Sequence, residues 1–240
     1  MPLKSSSNPL STLPDIRVII PAFNEQNAVG LVINEIPKDL VSEIIVIDNG
    51  STDNTFQVAR DKGATALSET RRGYGQACLK GLEHIHKSRT HPDIVVFIDG
   101  DHSDYPEEMT KLVEPILHEG VDMVIGSRAL GQKEKGAMTP QQVFGNWLAT
   151  TLMRWLYGTT YTDLGPFRAI RYECLVAMDM RDTNYGWTVE MQLKAARQKM
   201  KTVDIPVNYR VRIGKSKVSG TVKGTVMAGY KIITTIFKYL

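Results

Sequence analysis

The sequence predicts an α/β fold with a mostly parallel central sheet that is covered by helices on both faces. In the first half of the chain, short runs of β-branched and other apolar residues alternate with segments of helical periodicity. Most of these runs end in polar residues, as buried strands do where they leave a sheet. The chain has 240 residues, which is enough for one α/β domain with a full core. We therefore expect a single domain over residues 15–217.

The first half contains the alternating elements. Residues 16–21 are an apolar run closed by a proline, which fits a first strand, and the apolar residues at 29, 32, 33 and 36 then repeat with the period of a helix. A second strand is predicted at 43–48, after which Asp53 can cap a helix that Gly63 ends. Further strands are predicted at 64–67, 94–99 and 121–126, with helices at 77–86 and 106–119.

The regular alternation stops after Arg128. A largely apolar helix is predicted at 143–157, then a turn-rich stretch at 162–168, a helix up to residue 198 and a late strand at 202–207. Residues 218–240 show apolar residues at helical spacing with lysines between them, which predicts an amphipathic helix. Such a helix either packs on the domain, which we favour, or lies peripherally on a membrane surface.

Composition limits the class of protein. The 29 basic and 26 acidic residues give a net charge of +3, which does not indicate a nucleic-acid partner. Two distant cysteines indicate neither a disulfide framework nor a zinc site, so a reducing cytoplasm is expected. Residues 1–14 are rich in Ser and Pro and predict a flexible tail, not a signal peptide. Nowhere does the sequence reach the run of about 20 apolar residues that a membrane-spanning helix needs.

Two aspartates follow the predicted strand at 94–99. Asp99 and Asp101 would lie at the carboxyl edge of the sheet, which is where open α/β sheets bind ligands. Two carboxylates suit Mg²⁺ or Mn²⁺, which take their remaining ligands from water or substrate phosphates. The alternative is that these acids form a turn or cap the helix that follows.

Two other phosphate-binding folds are disfavoured. The first predicted strand is followed by PAFNE, where a dinucleotide-binding unit would carry G-x-G-x-x-G, and no Walker A motif occurs. A basic cluster instead occurs late in the chain, at Arg210, Arg212, Lys215 and Lys217. Such a loop can clamp phosphates, although a solvated surface run would look similar.

Taken together, these segments resemble the family 2 glycosyltransferases of the GT-A fold, in the branch of the dolichyl-phosphate mannose and glucose synthases. The matching segments run in the family's order over nearly the whole chain: IIPAFNE (19–25), IDNGSTDNT (47–55), RRGYGQA (71–77), FIDGDHSDYPEE (97–108), IGSR (125–128), DLGPFRAIR (163–171), WTVEMQLKA (187–195) and RIGKSKVSGT (212–221). In two places the chain departs from the family's pattern. Asn49 stands where a second aspartate is common, and Gln141 and Gln142 stand where arginines usually open a helix.

The resemblance implies a nucleotide-sugar donor site. Asn24, Glu25 and Asp48 would hold the base and ribose, Asp99 would support the ribose or sugar, and Asp101 would ligate Mg²⁺ or Mn²⁺ with Asp99. The other donor-binding residues that it implies are Pro21, Ala22 and Gly100, which shape the backbone, and Arg212, Lys215 and Lys217, which would close over the diphosphate. Closure of that kind would exclude water and limit hydrolysis of the donor.

The resemblance also implies an acceptor site. Arg128 matches a basic residue that faces a lipid phosphate in this branch, and Arg168 is a second candidate for acceptor binding. A phosphate acceptor needs no strong base, whereas a hydroxyl acceptor would need one, for which Glu190 or Asp163 is available. Each of these acids also has a structural alternative: Glu190 as a partner of the helix dipole, and Asp163 as a turn residue or in a salt bridge to Arg168.

These implications define an expected function. We expect an inverting, metal-dependent enzyme that moves a hexose from a UDP- or GDP-sugar to a polyprenyl phosphate. The first alternative is transfer to a hydroxyl of a glycan or small molecule, with Glu190 as the base. A sugar nucleotidyltransferase fits less well, because PAFNEQNAVG has no basic residue to receive a triphosphate. A catalytically silent nucleotide-sugar-binding module is the remaining alternative. The sequence leaves the oligomeric state open.

Overall fold

The computed structural model describes residues 13–214 and 222–240, and these form an α/β domain around a seven-stranded sheet. The strands are β1 (Ile16–Ala22), β2 (Glu43–Asp48), β3 (Thr65–Ser68), β4 (Ile94–Phe97), β5 (Met123–Ser127), β6 (Arg168–Arg171) and β7 (Thr202–Pro206). Their order in the sheet is β3-β2-β1-β4-β6-β5-β7. The predicted strands are all present, within two residues of their expected bounds.

The sheet is mostly parallel, as predicted. β1 pairs in parallel with both β2 and β4, β2 pairs in parallel with β3, and β5 with β7. The exception is β6, which is inserted between β4 and β5 and is antiparallel to both. β6 was not predicted, because its four residues follow a turn-rich stretch and begin with an arginine.

The helices are α1 (Val29–Glu35), α2 (Thr55–Asp61), α3 (Tyr74–Lys87), α4 (Met109–His118), α5 (Pro140–Tyr157), α6 (Tyr172–Met178), α7 (Trp187–Arg197) and α8 (Val222–Lys238). A 3₁₀ turn at Pro106–Glu108 leads into α4, so the helix predicted from residue 106 begins as a tighter turn. Asp53 lies one residue before the N-cap of α2, Asn54, and its carboxylate accepts a hydrogen bond from the Thr55 amide at 3.0 Å. The short helix α6 was not predicted.

Two apolar clusters cover the two faces of the sheet, which confirms the predicted layer arrangement. On one face, alternate residues of β1, β2 and β4 pack against α1, α2 and α4, with Ile20 and Val96 fully buried. On the other face the same strands pack against α3, α5, α6 and α7, around Phe97 and Trp187. Because side chains alternate along a strand, each central strand contributes to both clusters.

The C-terminal helix α8 packs against α5 and α7. Ile236 is fully buried, and its carbonyl accepts a hydrogen bond from the Tyr157 hydroxyl. The outer side of α8 exposes apolar residues, among them Val226, Tyr230 and Phe237. Within residues 13–214 and 222–240, no helix combines the length and apolarity required to cross a bilayer.

Candidate active site

A cavity of about 350 Å³ opens at the carboxyl ends of β1 and β4. Sheet edges of this kind are the usual place for a ligand in an open α/β fold. The lining residues are Pro21, Ala22, Phe23, Glu25, Asn49, Arg72, Gly73, Tyr74, Ala77, Asp99, Gly100, Asp101, Asn184, Tyr185 and Arg212. The cavity therefore brings together the predicted donor-binding residues of β1, the two aspartates after β4 and Arg212.

The two aspartates have different environments. Asp99 Oδ1 is buried and has no hydrogen-bond partner among the described residues. Burial, together with the nearby charge of Asp101, raises the pKa of Asp99 to about 7. Asp101 Oδ1 accepts hydrogen bonds from the amide of Ser103 at 3.0 Å and from its hydroxyl at 2.5 Å. Asp101 Oδ2 lies 3.0 Å from Arg212 Nη1.

The pair can bind a divalent cation. Asp99 Oδ1 is buried without a partner among the described residues, and Asp101 Oδ2 pairs with the Arg212 guanidinium. Carboxylate oxygens are the kind of ligands that Mg²⁺ or Mn²⁺ takes. No group of three or more His, Cys, Asp or Glu side chains with metal-binding geometry occurs in the described part of the chain. The protein would thus supply few ligands, and the remainder would come from substrate phosphates and water.

The segment that carries Arg212 is hydrogen-bonded to the loop that carries Asp101. The Arg210 amide donates to the Ser103 carbonyl at 2.9 Å, and the Ile213 amide donates to the Asp101 carbonyl at 3.0 Å. The Arg212 guanidinium enters the cavity and pairs with Glu25 Oε1 at 2.7 Å as well as with Asp101. Lys215 and Lys217, which were predicted to act beside Arg212, lie outside the described residues.

The glycines of RRGYGQ allow a close approach of two backbone segments. Gly73 adopts a φ of 146°, and a Cβ atom there would lie 2.1 Å from the Thr183 carbonyl oxygen. A Cβ atom on Gly75 would lie 2.0 Å from the Asp182 carbonyl oxygen. Only glycine fits at these two positions. The contact places the start of α3 against residues 182–184, and so brings Asn184 and Tyr185 to the wall of the cavity.

The turn after β2 lies beside the cavity and is held by asparagines. Asn24, which has a left-handed backbone with φ 54°, accepts a hydrogen bond from the Thr52 amide at 2.8 Å. Asp48 is buried, and its Oδ1 accepts from the Ser51 amide at 3.3 Å. Neither side chain lines the cavity as found. Asn49 does, and it donates to the Arg71 carbonyl at 2.8 Å and accepts from the Gly73 amide at 2.8 Å.

Arg128 and Asp163 form a buried ion pair. Asp163 accepts from Arg128 Nε at 2.8 Å, from Nη2 at 2.7 Å and from the Arg128 amide at 2.7 Å. Burial raises the pKa of Asp163, but the charge and hydrogen bonds of Arg128 outweigh this and leave the pKa below its usual value. The salt bridge considered between Asp163 and Arg168 is thus made with Arg128 instead. An aspartate held in this way is a poor base.

Arg168 is fully buried and does not line the cavity. Its guanidinium donates to the Gly165 carbonyl and, from Nη1, to the Thr188 carbonyl at 3.1 Å. A buried guanidinium needs hydrogen-bond acceptors, and these two carbonyls supply them. Arg168 therefore links the start of β6 to α7.

Glu190 lies in the core, outside the cavity lining. Its carboxylate accepts from the Asp182 amide at 2.6 Å, the Arg181 amide at 3.1 Å and the Tyr239 hydroxyl at 2.6 Å, and it pairs with Lys194 Nζ at 2.7 Å. Burial raises its pKa, but the hydrogen bonds from Lys194 and Tyr239 and from the two amides outweigh burial and lower it overall. Glu190 thus fixes the 179–182 turn and the C-terminus to α7, and the structure does not present it as a base.

We expect Glu190→Gln to lower the free energy of unfolding by about 1–3 kcal/mol, because an amide cannot accept from all these donors and leaves the Lys194 ammonium without its carboxylate partner. Urea denaturation measures this change, with the exposed Glu173→Gln as a matched control. The catalytic rate of the folded protein should stay near that of the wild type. A rate loss of about a hundredfold or more without a change in stability would instead identify Glu190 as the base.

The profile of glycosyl transferase family 2 matches residues 17–177, which is more than half of the chain. The chain belongs to this family. The match contains the strand ends that line the cavity from β1 to β4, and the chain is accordingly an enzyme that transfers a sugar.

Two glycosyltransferases illustrate what this family 2 enzyme is similar to. It is 34% identical to an uncharacterized glycosyltransferase of Mycobacterium tuberculosis, over 89% of this chain and 94% of the relative. It is 30% identical to the undecaprenyl-phosphate mannosyltransferase of Micrococcus luteus, over 87% of this chain and 89% of the relative. The similarity thus extends well past the family profile.

A solved structure shows the same fold with a bound metal. Glucosyl-3-phosphoglycerate synthase of Mycobacterium tuberculosis, in complex with Mn²⁺, UDP and phosphoglyceric acid, superposes with a TM-score of 0.74 at 26% identity. The comparison covers 94% of this chain and 78% of that protein. A divalent cation with a nucleotide in this neighbour agrees with the Mg²⁺ or Mn²⁺ that the sequence predicts.

Several site residues were not predicted. Four lining residues come from two segments that form the cavity wall because α3 approaches residues 182–184: Arg72, Tyr74, Asn184 and Tyr185. The Gly73-x-Gly75 spacing was the one available indication of that approach. Asp104 does not line the cavity, but its environment was not predicted either: it is 1% exposed, both carboxylate oxygens lack partners among the described residues, and burial raises its pKa well above its usual value.

Proposed function

We propose that this family 2 glycosyltransferase moves a hexose, with inversion, from a UDP- or GDP-sugar to a polyprenyl phosphate. The observation that carries the proposal is the convergence of Asp99, Asp101, Glu25 and Arg212 on one cavity at the carboxyl edge of the sheet. Such a site offers carboxylates to a cation and a guanidinium to a diphosphate, which are the two groups that cleavage of a sugar phosphate bond requires.

Each part of the cavity has a role in the proposed reaction. Asp101 and Asp99 would hold Mg²⁺ or Mn²⁺, which supplies positive charge to the diphosphate as it leaves. Glu25, Pro21 and Ala22 would position the nucleoside, with Asn24 and Asp48 supporting the loops around it. Arg212 would donate two parallel hydrogen bonds to phosphate oxygens, for which its planar fork is suited.

The acids outside the cavity favour a phosphate acceptor over a hydroxyl. A phosphate is an anion and can attack the sugar without a base, whereas a hydroxyl needs one. Glu190 and Asp163, which were the candidate bases, are each engaged by buried donors and have lowered pKa values. The undecaprenyl-phosphate mannosyltransferase among the relatives supports the same acceptor class. Arg128, beside the ring of Tyr209, is the proposed acceptor contact.

A soluble acceptor is the second candidate. The structural neighbour was solved with phosphoglyceric acid, a small phosphorylated molecule, in addition to Mn²⁺ and UDP. An acceptor of that kind would bring its own anionic group and would need no lipid surface.

The surface of α5 supports a lipid acceptor. Phe144, Trp147 and Trp155 are 61%, 58% and 81% exposed, and the 18 residues of α5 include no acidic residue. Aromatic residues on a helix without acidic groups are typical of proteins that lie on a membrane surface. We therefore propose that α5, with the exposed side of α8, makes peripheral contact with a membrane.

The test has a donor step and an acceptor step. Calorimetry with UDP and with GDP, each with and without Mn²⁺, should show metal-dependent binding of one nucleotide. The labelled sugar of that nucleotide should then move into the organic phase when undecaprenyl phosphate is added, and not when phosphoglycerate is added. Transfer to phosphoglycerate alone would favour the second candidate, and failure of both nucleotides to bind would overturn the donor assignment.

A further inference from the structure

Arg212 occupies the position between the carboxylates of the donor site. Its Nη2 lies 2.7 Å from Glu25 Oε1 and its Nη1 lies 3.0 Å from Asp101 Oδ2. Glu25 and Asp101 are 8% and 6% exposed, so their charges are largely removed from water. Two buried carboxylates need a counter-ion. The Arg212 guanidinium therefore supplies a positive charge to both carboxylates in this state.

The geometry of Arg212 differs from that of a permanent ion pair. Arg128 uses Nε and Nη2 on one carboxylate, with an additional bond from its own amide. Arg212 instead divides single contacts between two acids, its Nε is buried without a partner in the described chain, and its side chain is 25% exposed against 11% for Arg128. An arginine that makes one contact to each of two acids, and whose Nε has no acceptor, exchanges a carboxylate for another anionic partner more easily than a bidentate arginine does.

The backbone on both sides of Arg212 is held by hydrogen bonds that do not involve the Arg212 side chain. The amides of Arg210 and Ile213 are hydrogen-bonded to the loop of Asp101, and the guanidinium of Arg210 pairs with Glu35 and donates to the His102 carbonyl at 2.8 Å. Only the side chain of Arg212 needs to rotate. The guanidinium would leave Asp101 but remain in the cavity, close to the loop that carries Asp99 and Asp101.

We propose that Arg212 is a built-in counter-cation that a divalent cation must displace from Asp101, so that the cation and the nucleoside diphosphate bind cooperatively. This inference rests on the proposed function for the identity of the two ligands. A cation that binds alone would cost Arg212 its contact with Asp101 and leave only the pair with Glu25. When the diphosphate is also present, the displaced guanidinium gains phosphate oxygens as new acceptors, and the cost of displacement is recovered.

Because coupling between two ligands is reciprocal, a binding cycle measures it. Mn²⁺ affinity is determined by electron paramagnetic resonance, with and without UDP or GDP, whichever nucleotide binds. We expect Arg212→Gln to bind Mn²⁺ alone about tenfold more tightly than the wild type, and to lose most of the increase in affinity that the nucleotide produces. The readout is metal binding and does not require turnover.

Arg72→Gln is the matched control. Arg72 also lines the cavity, but its guanidinium stacks on Phe23 at 3.8 Å instead of pairing with Asp101. This variant removes the same charge from the cavity and should tighten Mn²⁺ binding far less. An equal effect of the two variants would show a general charge effect and would overturn the proposal, as would an Arg212→Gln affinity equal to or weaker than that of the wild type.

Arg212→Lys is a second variant of the same residue, and it tests the proposal if Arg212→Gln fails to fold. A lysine keeps the charge but cannot contact both carboxylates through two nitrogens, so its Mn²⁺ affinity should fall between those of the wild type and the glutamine variant. An affinity equal to that of the wild type would contradict the proposal. Absence of sugar transfer with every acceptor would overturn the proposed function, whereas the Mn²⁺ affinities would still test the role of Arg212.

Discussion

Replacement of Asp101 by alanine is expected to abolish sugar transfer, with a loss of about a thousandfold or more. Asp101 Oδ1 is fixed by Ser103, so Oδ2 has a defined position in the cavity. The variant removes the cation from the place where negative charge would develop on the departing diphosphate. Transfer rates at saturating donor, together with Mn²⁺ binding, measure the effect.

Two further variants separate chemistry from folding in this experiment. Asp101→Asn keeps the volume and one acceptor for Ser103, so it should fold like the wild type and still lose transfer. Glu107→Ala removes an exposed acid from the same segment and should leave the rate unchanged. Turnover by Asp101→Ala near the wild-type rate would contradict the assignment of Asp101 to the cation.

The parallel strands were predictable because their chemistry is local. β2 and β5 are buried apolar runs that end at a polar residue, β4 is followed by Asp99, and the apolar run of β1 is closed by Pro21. Patterns of this kind are sufficient to locate a central strand. β6 lacked the pattern. Its first residue, Arg168, is fully buried in the structure, whereas hydropathy predicts an exposed position for an arginine. Its antiparallel insertion between β4 and β5 depends on pairings that the sequence does not display.

The site was predictable to the extent that it follows strand ends. Asp99, Asp101 and the residues after β1 meet at one edge because parallel strands bring their carboxyl ends together. The partners of the charged residues were not predictable in the same way. Arg212 and Glu25 are 187 positions apart, and Arg128 and Asp163 are 35 apart. Loop packing determines which acid each arginine pairs with, and the sequence does not display it. The pairing considered for Asp163 was therefore with Arg168, its near neighbour in sequence, and not with Arg128.

The pair of Arg128 and Asp163 leads to the largest expected change in stability. Asp163→Asn should lower the free energy of unfolding by about 3–5 kcal/mol, because it leaves the buried guanidinium of Arg128 without a counter-charge. Since the pKa of Asp163 is lowered in the folded state, its contribution is present above the pKa of an unfolded aspartate, about 4, and is lost as the pH falls below that value. Denaturation with urea at pH 7 and at pH 3 measures both effects.

A double apolar replacement separates the contribution of this ion pair to stability from the contribution of Arg128 to acceptor binding. Arg128→Met combined with Asp163→Leu removes both charges and should recover most of the stability that Asp163→Asn loses. If Arg128 contacts the acceptor phosphate, as proposed, the stable double variant should show a raised KM for the acceptor and an unchanged affinity for the donor nucleotide. An unchanged acceptor KM would restrict Arg128 to a structural role, because Asp163 already occupies its Nε and Nη2.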